Sequence, residues 1–213
     1  MKPVIFLIMC ILSCARSSAE QKAVTDTGEI VVLSNDGTWK YLDGKDNPTI
    51  PKINTNSQKF FKSSNQKFLL KSKVTNHGLY LDPKKWEFSS DSDEDSDFEY
   101  TFTSKEHILN AHLISEKIDI PIETMEKIVL INAKEADPNV RLLKKELRYV
   151  NDTKVLFLEF SATSEGIEFI FMGYYFSDSG YTSQLTSWLF KSQYGDHSSK
   201  LLAFLNGFVS SID

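Results

Sequence analysis

The sequence predicts an α+β fold in which an antiparallel β-sheet lies between helices, preceded by a small N-terminal β-hairpin. Four extended segments with short turns occupy the second half of the chain. Two of them are apolar at both odd and even positions, so both faces of that sheet must be covered. Two amphipathic segments are available as covering helices. An Asp-Gly turn between short β-branched and aromatic runs predicts the hairpin.

Residues 1–19 are predicted to be a secretory signal peptide. Lys2 precedes an apolar run over 4–12, which is followed by a short stretch of small polar residues. The apolar run is about half of the roughly 20 residues that a helix needs to cross a bilayer. The chain is therefore predicted to be exported, to the periplasm or the medium, without a transmembrane segment.

Two ways of processing the leader remain open. Ser17-Ser18-Ala19 offers small residues to an ordinary signal peptidase, which predicts a free protein that begins at Glu20. Ile11-Leu12-Ser13-Cys14 resembles a bacterial lipobox, and lipidation of Cys14 would make the protein an outer-membrane lipoprotein. Cys10 and Cys14 are the only cysteines of the sequence. No intramolecular disulfide and no cysteine-based metal or redox site is therefore predicted.

The charge balance argues against nucleic-acid binding. The chain has 24 basic and 29 acidic residues. Loss of Lys2 and Arg16 with the leader leaves 22 basic residues and a formal net charge of −7. Affinity for nucleic acid comes largely from a basic face that neutralises phosphates, and the sequence has no basic stripe.

Residues 22–45 are predicted to form the hairpin. Asn35-Asp36-Gly37 tolerates the positive φ of a tight turn, and the residues on either side alternate as strands do. Trp39 and Tyr41 share one face of the second strand. We expect them to pack on the main domain, because an isolated hairpin is marginal in water, with contact to a partner as the alternative. Residues 46–66 are polar and contain two prolines, which predicts an exposed linker.

The main domain is predicted over 67–213 and begins with short strands near Phe68, Leu79 and Trp86. An acidic run over 91–99 follows. Its alternating aspartates allow a calcium-binding interpretation, but the glycine and glutamate of an EF-hand are missing. A solvated hairpin loop is therefore the favoured interpretation, with calcium binding as the alternative.

Two histidines fall in the next predicted strands, over 98–102 and 107–116. His107 and His112 are five residues apart, which would place them on opposite faces of one strand. They form a poor metal pair, and no metal site or cofactor is predicted.

One helix, four strands and a second helix are predicted over the rest of the chain. Pro121 favours the first turn of a helix that runs to Ala136, with apolar residues every three to four positions. Four strands are predicted after it, at 141–150, 155–162, 167–176 and 181–190. Their separators contain Asn, Asp, Ser or Gly, which favour tight turns and therefore antiparallel neighbours. The second helix is predicted from Ser198 to Ile212.

Several segments resemble a known family. They are GLYLDPKKW, IPIETMEKIVLINAKEAD, LRYVNDTKVLFLEFSATSEGIEFIFMGYYFSDSGYTSQLTSW and LLAFLNGF. Over residues 67–213 they resemble the PsbP-like α/β/α sandwich. The whole mature chain resembles uncharacterised exported bacterial proteins with an N-terminal DGTW hairpin. The resemblance implies a protein that binds or supports other macromolecules, and it implies no common active site.

The aromatic residues are the better candidates for a site. Trp86, Tyr174, Tyr181 and Trp188 are the candidates for a ligand-binding cleft near the turn at Gly180, but packing in the core is the favoured interpretation, because aromatic strands at this spacing fill the space beneath a helix. The predicted function is an exported non-catalytic module that binds or supports an unknown protein or envelope component. The same role in a membrane-anchored lipoprotein is an alternative.

An unrecognised hydrolase is the other alternative. Glu159 and Glu168 lie on apolar strands on either side of the turn at Gly166 and could act as an acid and base pair. The sequence has no G-x-S-x-G, no H-E-x-x-H and no glycine-rich phosphate loop. Catalysis is therefore not the predicted activity.

Overall fold

The computed structural model of the protein describes residues 21–25, 30–33, 39–42, 53–90 and 98–212. The leader with Cys14, the Asn35-Asp36-Gly37 turn, part of the predicted linker and acidic residues 91–97 lie outside the described residues.

The described part of the chain contains strands and two α-helices. In chain order they are β1 (Gln21–Val24), β2 (Ile30–Leu33), β3 (Trp39–Tyr41), β4 (Thr55–Phe60), β5 (Phe68–Lys71), β6 (Gly78–Leu81), β7 (Trp86–Ser89), β8 (Tyr100–Ser104), β9 (Asn110–Glu116), α1 (Ile122–Ala136), β10 (Arg141–Val150), β11 (Thr153–Ser164), β12 (Ile167–Asp178), β13 (Tyr181–Phe190), α2 (Tyr194–Leu205) and β14 (Phe208–Val209). The first helix and the four long strands lie where the sequence predicts them.

An eight-stranded sheet dominates the fold. Its strand order is β4-β10-β11-β12-β13-β9-β8-β7. β1-β2-β3 and β14-β6-β5 form two smaller sheets. The long strands β10 to β13 are antiparallel neighbours, and β13 then pairs with β9, which lies far back in the sequence.

Tight turns determine the register of the long strands. Asn151, Asp152, Glu165 and Ser179 adopt positive φ, as do Gly166 and Gly180. Two successive residues with positive φ form the turn whose twist matches that of the strands it joins. The Ser179-Gly180 turn pairs Asp178 with Tyr181 and thereby sets every later pair of β12 and β13.

Two hydrophobic cores lie on opposite faces of the large sheet. On β11, Phe157 belongs to one core and its neighbour Leu158 to the other, because successive side chains on a strand point to opposite faces. Phe204 of α2 packs in the first core, and Met125 of α1 packs in the second. We call these two faces the α2 side and the α1 side of the sheet.

The prediction of an exposed linker over 46–66 is wrong for its second half. β4 forms a parallel edge strand beside β10, so the sheet is mixed and not purely antiparallel. The backbone N–H of Leu147 donates to Asn54 O at 2.8 Å, and that of Asn151 donates to Phe60 O at 2.9 Å. An edge strand that is mostly exposed needs few apolar residues, and its composition therefore resembles that of a linker.

The second helix is earlier and shorter than predicted. α2 ends at Leu205, and the following residues form β14, which pairs with β6. Gly207 allows this exit from the helix, because a Cβ atom there would lie 2.0 Å from the carbonyl oxygen of Tyr80. The backbone N–H of Tyr80 also donates to Gly207 O at 2.8 Å.

One strand begins later than predicted. His107 adopts φ 55° in the turn after β8, and β9 begins only at Asn110. The prediction that His107 and His112 lie on one strand is therefore wrong.

The N-terminal strands form a sheet of three, because β1 pairs with β2 and β2 with β3. Val31 and Val32 are buried, and Lys22 contacts Glu135 of α1 at 2.8 Å. The Trp39 side chain, which we expected to pack on the main domain, is 55% exposed and contacts Tyr41 edge to face at 5.3 Å. The Trp39 ring is therefore largely exposed, whereas Tyr41 is half-buried.

Candidate functional site

The four aromatic residues that were candidates for one cleft are divided between the two sides of the sheet. Trp86 and Tyr174 belong to the core on the α2 side. Tyr181 alternates with Leu185 of that core along β13 and so faces the same side. Trp188 faces the α1 side, where its ring contacts Phe171. These residues therefore do not form one cleft near Gly180, and Trp86 and Tyr174 pack in the core, which was the favoured interpretation.

Tyr174 lies in a sealed polar cluster. Its hydroxyl donates to Asn206 Oδ1 at 2.7 Å and accepts from Arg148 at 3.4 Å. Burial raises the pKa of Tyr174, against the smaller effect of the Arg148 charge. Arg148 is itself buried, with its guanidinium 3.4 Å from the Phe157 ring centre and 2.6 Å from Glu146. Tyr174 and Arg148 are therefore core residues, 1% and 4% exposed, and do not present a ligand-binding surface.

Trp86 forms the floor of an open cleft of about 360 Å³, which we call the Trp86 cleft. It lies between the turn after β6, the connection from β8 to β9, and α2. Leu109 and Phe204 complete the floor, and the Trp86 and Phe204 ring centres are 4.0 Å apart. Lysines and two acidic residues surround this apolar floor, a combination that suits an organic ligand with a charged group.

A second surface is formed by partly exposed rings on the α1 side of the sheet. We call it the aromatic face, and its members are Phe98, His112, Phe169, Phe171, Trp188 and Phe190. Phe190 is 42% exposed and Phe98 is 37% exposed. None of the other members is fully buried.

The rings of the aromatic face contact one another along the neighbouring strands β12, β13 and β9, and Phe98 joins them from just before β8. Phe98 stacks on His112 at 4.5 Å, and His112 contacts Trp188 at 5.4 Å. Trp188 lies 6.2 Å from Phe171, and Phe169 lies 5.1 Å from Phe190. These centroid distances are typical of favourable aromatic pairs, so the surface is preorganised before anything binds.

His112 is uncharged within this surface. Burial lowers its pKa to about 4, because a charged imidazole loses hydration between two apolar rings. The aromatic face therefore carries no formal charge near neutral pH.

Part of the aromatic face could have been identified from the sequence. Counting back from the Ser179-Gly180 turn pairs Phe171 with Trp188 and Phe169 with Phe190. The contribution of His112 could not be found in that way. It depends on β9 pairing with β13, which places His112 beside Thr186 across 74 positions of sequence.

The two candidate catalytic carboxylates are held by different partners. Glu159 accepts a hydrogen bond from the Tyr194 hydroxyl at 2.7 Å, and burial together with this bond raises the pKa of Tyr194 to about 12. Glu168 contacts Lys191 at 2.7 Å and Arg141 at 3.5 Å. In the pairing of β11 with β12, Glu168 lies opposite Thr163. Thr163 is four residues after Glu159 on β11, so the two carboxylates are at different positions along the strands.

The two carboxylates do not meet at either of two cavities that lie on the described part of the chain. Neither lines the Trp86 cleft or the polar cavity of about 350 Å³ beside Asp137. The Asp137 carboxylate already accepts the backbone N–H groups of Thr163 at 2.6 Å and Asn139 at 2.8 Å.

One histidine and serine pair does form. His77 Nδ1 lies 2.8 Å from Ser183 Oγ, but Ser183 is 0% exposed and His77 only 5%. Burial lowers the pKa of His77, against a smaller opposite effect of Asp178. A substrate cannot reach this pair, which stabilises the junction of β6 and β13.

The described residues contain no group of three His, Cys, Asp or Glu side chains placed to hold a metal ion. Most of the acidic run lies outside them. Glu99 at its end is engaged by Ser72 Oγ at 2.9 Å and by the backbone N–H of Lys73. Within the same described ranges, no helix is long and apolar enough to cross a membrane.

Comparison with known proteins shows a likeness of fold. No family model matches the chain, and no curated protein matches it. The solution structure of the cyanobacterial PsbP protein CyanoP from Synechocystis is similar over 67% of this chain and 91% of its own, with 9% identity and a TM-score of 0.51. The large sheet therefore belongs to a PsbP-like fold.

Two further solved structures are similar at lower scores. PA94 of Pseudomonas aeruginosa, a protein of unknown function described as a putative regulator, has 10% identity over 68% of this chain and 99% of its own, with a TM-score of 0.43. LpqN of Mycobacterium tuberculosis, described as involved in cell envelope biogenesis, has 11% identity over 68% of this chain and 90% of its own, with a TM-score of 0.41.

Proposed function

We infer that the protein is an exported, non-catalytic binding or assembly-support module, built on a PsbP-like α/β/α sandwich. Its partner is a protein or an envelope component that docks on the aromatic face. The observation that carries this proposal is the row of contacting, partly exposed rings on the α1 side of the sheet. Contiguous exposed apolar surface of this kind marks interaction sites in soluble proteins.

The composition of the aromatic face supports a macromolecular partner. Tryptophan and phenylalanine are enriched among the residues that contribute most to binding at protein interfaces. The rings already contact one another, so docking would order few side chains and lose little conformational entropy. The exposed Trp39 ring, which contacts Tyr41, offers a second contact for the same or another partner.

A non-catalytic role is supported by how the candidate catalytic groups are used. Glu159 is bound to Tyr194, and Glu168 is bound to Lys191. An acid and base pair must reach one substrate position together, within hydrogen-bond distance of it. The hydrolase alternative has no geometric observation in its favour among the described residues.

Photo-crosslinking tests the proposed surface in cells of the source organism. Phe190→p-benzoylphenylalanine places a reactive ketone on the aromatic face, and Phe61→p-benzoylphenylalanine is the matched control at another exposed phenylalanine, 57% accessible. We expect a discrete cross-linked species from position 190 alone, reduced by a further Trp188→Ala change. Identical patterns from both positions, or none from either, would contradict the proposal.

Export is tested by the intact mass of the protein isolated from its source. A chain that begins at Glu20 would be a free exported protein, whereas one that begins at Cys14 with added acyl mass would be a lipoprotein. A mass that retains Met1 and the whole leader would contradict export.

A further inference from the structure

The Trp86 cleft lies on the α2 side of the sheet, opposite the aromatic face, and therefore has a role independent of the proposed docking surface. We propose that it binds a small organic anion. The acidic group of this ligand lies between Lys84 and Lys85, and its apolar body lies over Trp86.

The charge of the rim indicates an anion. Four lysines line the cleft, at 84, 85, 105 and 200, against two acidic residues, Asp82 and Glu106. This local excess of positive charge occurs in a chain of formal net charge −5. Low-dielectric walls around a cluster of one sign concentrate the field and attract the opposite charge.

Two of the four lysines are available for a ligand. Lys200 is paired with Glu106 at 2.8 Å, and Lys105 lies 3.9 Å from Glu87. Lys84 and Lys85 form no ion pair with any residue that the structure describes. The Asp82 carboxylate accepts the backbone N–H of Lys84 at 3.0 Å within the turn. Lys200 and, to a smaller extent, Lys85 lower the pKa of Glu106, so Glu106 acts on Lys85 only at longer range.

The floor indicates an apolar body on the same ligand. Trp86, Leu109 and Phe204 are 7%, 2% and 1% exposed, so the floor is well packed and Trp86 is its most accessible member. Trp86 is also held by its backbone N–H, which donates to Asp82 O at 3.0 Å. A rigid aromatic floor contributes affinity for a flat ring but none for a bare inorganic ion.

The size of the cleft limits the ligand to a small molecule. A volume of about 360 Å³ lies near the lower end of the range of roughly 300–1,000 Å³ found for small-molecule sites. A ligand of two fused rings with one acidic group fills it. We therefore choose 2-naphthoate as the probe and 2-naphthamide as its uncharged counterpart.

The indole N–H signals of the three tryptophans report binding by NMR. Trp86 reports the cleft, while Trp188 and Trp39 are internal controls on the aromatic face and the hairpin. We expect 2-naphthoate to shift the Trp86 signal saturably and to leave the Trp188 signal unchanged. We expect 2-naphthamide and inorganic phosphate each to bind at least about tenfold more weakly, a difference of about 1.4 kcal/mol.

A matched pair of double variants tests the lysines without disturbing the floor. Lys84→Gln with Lys85→Gln should weaken 2-naphthoate binding by about tenfold or more, consistent with the loss of two nearby charges. Lys117→Gln with Lys154→Gln removes the same charge from exposed positions elsewhere and should leave the affinity within about twofold, because distant charges are screened.

Four results would overturn the proposal. They are the absence of a saturable Trp86 shift, equal affinity for the acid and the amide, equal affinity for inorganic phosphate, and unchanged affinity in the Lys84 and Lys85 variant. None of them would affect the aromatic face, whose cross-linking test has its own outcome.

Discussion

At the residue scale, Arg148 is the clearest case of a charge retained inside the fold. Its side chain is 5% exposed and is bound to Glu146, which is 13% exposed. Breaking such a pair leaves an uncompensated buried charge. We expect Arg148→Met to lower the free energy of unfolding by about 3 kcal/mol in urea denaturation at pH 7.

The control for this prediction uses the other cation on the same carboxylate. Lys144 lies 3.2 Å from Glu146 but is 48% exposed, so Lys144→Met should cost under about 1 kcal/mol. Equal costs for the two variants would show that burial of the pair does not matter.

The effect of Arg148→Met should depend on pH. Burial by itself would raise the pKa of Glu146, but hydrogen bonds from Asn56 and Arg148 outweigh it, and the pKa is lowered from 4.5. Because the pKa of Glu146 is lower in the folded state, ionisation of Glu146 stabilises the folded protein above pH 4.5. This stabilisation is lost as the pH falls through the folded-state pKa. The difference between the wild type and Arg148→Met should therefore shrink in urea denaturation at pH 3.

The burial of His112 predicts a second contribution to folding stability that is lost in acid. Because burial lowers its pKa from 6.5 to about 4, its contribution to stability is present above pH 6.5 and is lost as the pH falls toward 4. His112→Phe keeps an aromatic ring between Phe98 and Trp188 but cannot be protonated. Its free energy of unfolding should fall less between pH 7 and pH 4 than that of the wild type. An NMR titration of His112 with a midpoint near 6.5 would show this prediction to be wrong.

At the element scale, two glycines of the C-terminal region should respond in opposite ways to alanine. A Cβ at Gly207 would meet the Tyr80 carbonyl, whereas a Cβ at Gly195 in α2 would meet nothing within 4 Å. Gly207→Ala should therefore lower the melting temperature by separating β14 from β6. Gly195→Ala should raise stability by about 0.5 kcal/mol, because alanine loses less backbone entropy in a helix. A Gly207→Ala variant as stable as the wild type would mean that β14 contributes little.

Turn chemistry was the most reliable guide to the elements. The turns at Asn151-Asp152, Glu165-Gly166 and Ser179-Gly180 each contain Gly, Asn or Asp, which accept positive φ most readily, and all three turns adopt it. Edge and terminal elements were less predictable. β4 has mostly exposed side chains, so its strand conformation comes from hydrogen bonds to β10 that its own sequence does not reveal.

At the scale of the whole molecule, the main folded unit begins near residue 53 because it includes β4. The sequence had predicted that it begins at residue 67. Ile53 is buried in the core of the α1 side, and Phe60 packs against the core of the α2 side. We expect a chain of residues 53–213 to unfold cooperatively. A chain of 67–213 should be several kcal/mol less stable, because it loses an edge strand and two apolar contacts. Equal melting temperatures for the two chains would restore the linker interpretation.

The sequence by itself determined the long strands, their turns, α1 and the two-sided burial of the sheet. These features depend on local periodicity and on the φ preferences of a few residues. Both are properties of short stretches of sequence and do not require knowledge of long-range contacts. The predicted aromatic site could not be assembled in this way. Successive residues on a strand point to opposite faces, and the long-range pairing of β9 with β13 decides which rings meet.

Only the tertiary structure therefore separated Trp86 from Trp188 and placed each in a different candidate site. It also joined lysines of the β6–β7 turn, the β8–β9 connection and α2 around one apolar floor. Such a cluster depends on contacts between segments that lie more than a hundred residues apart in the sequence. Bringing these segments together costs loop-closure entropy, which is offset by burial of the core that they share.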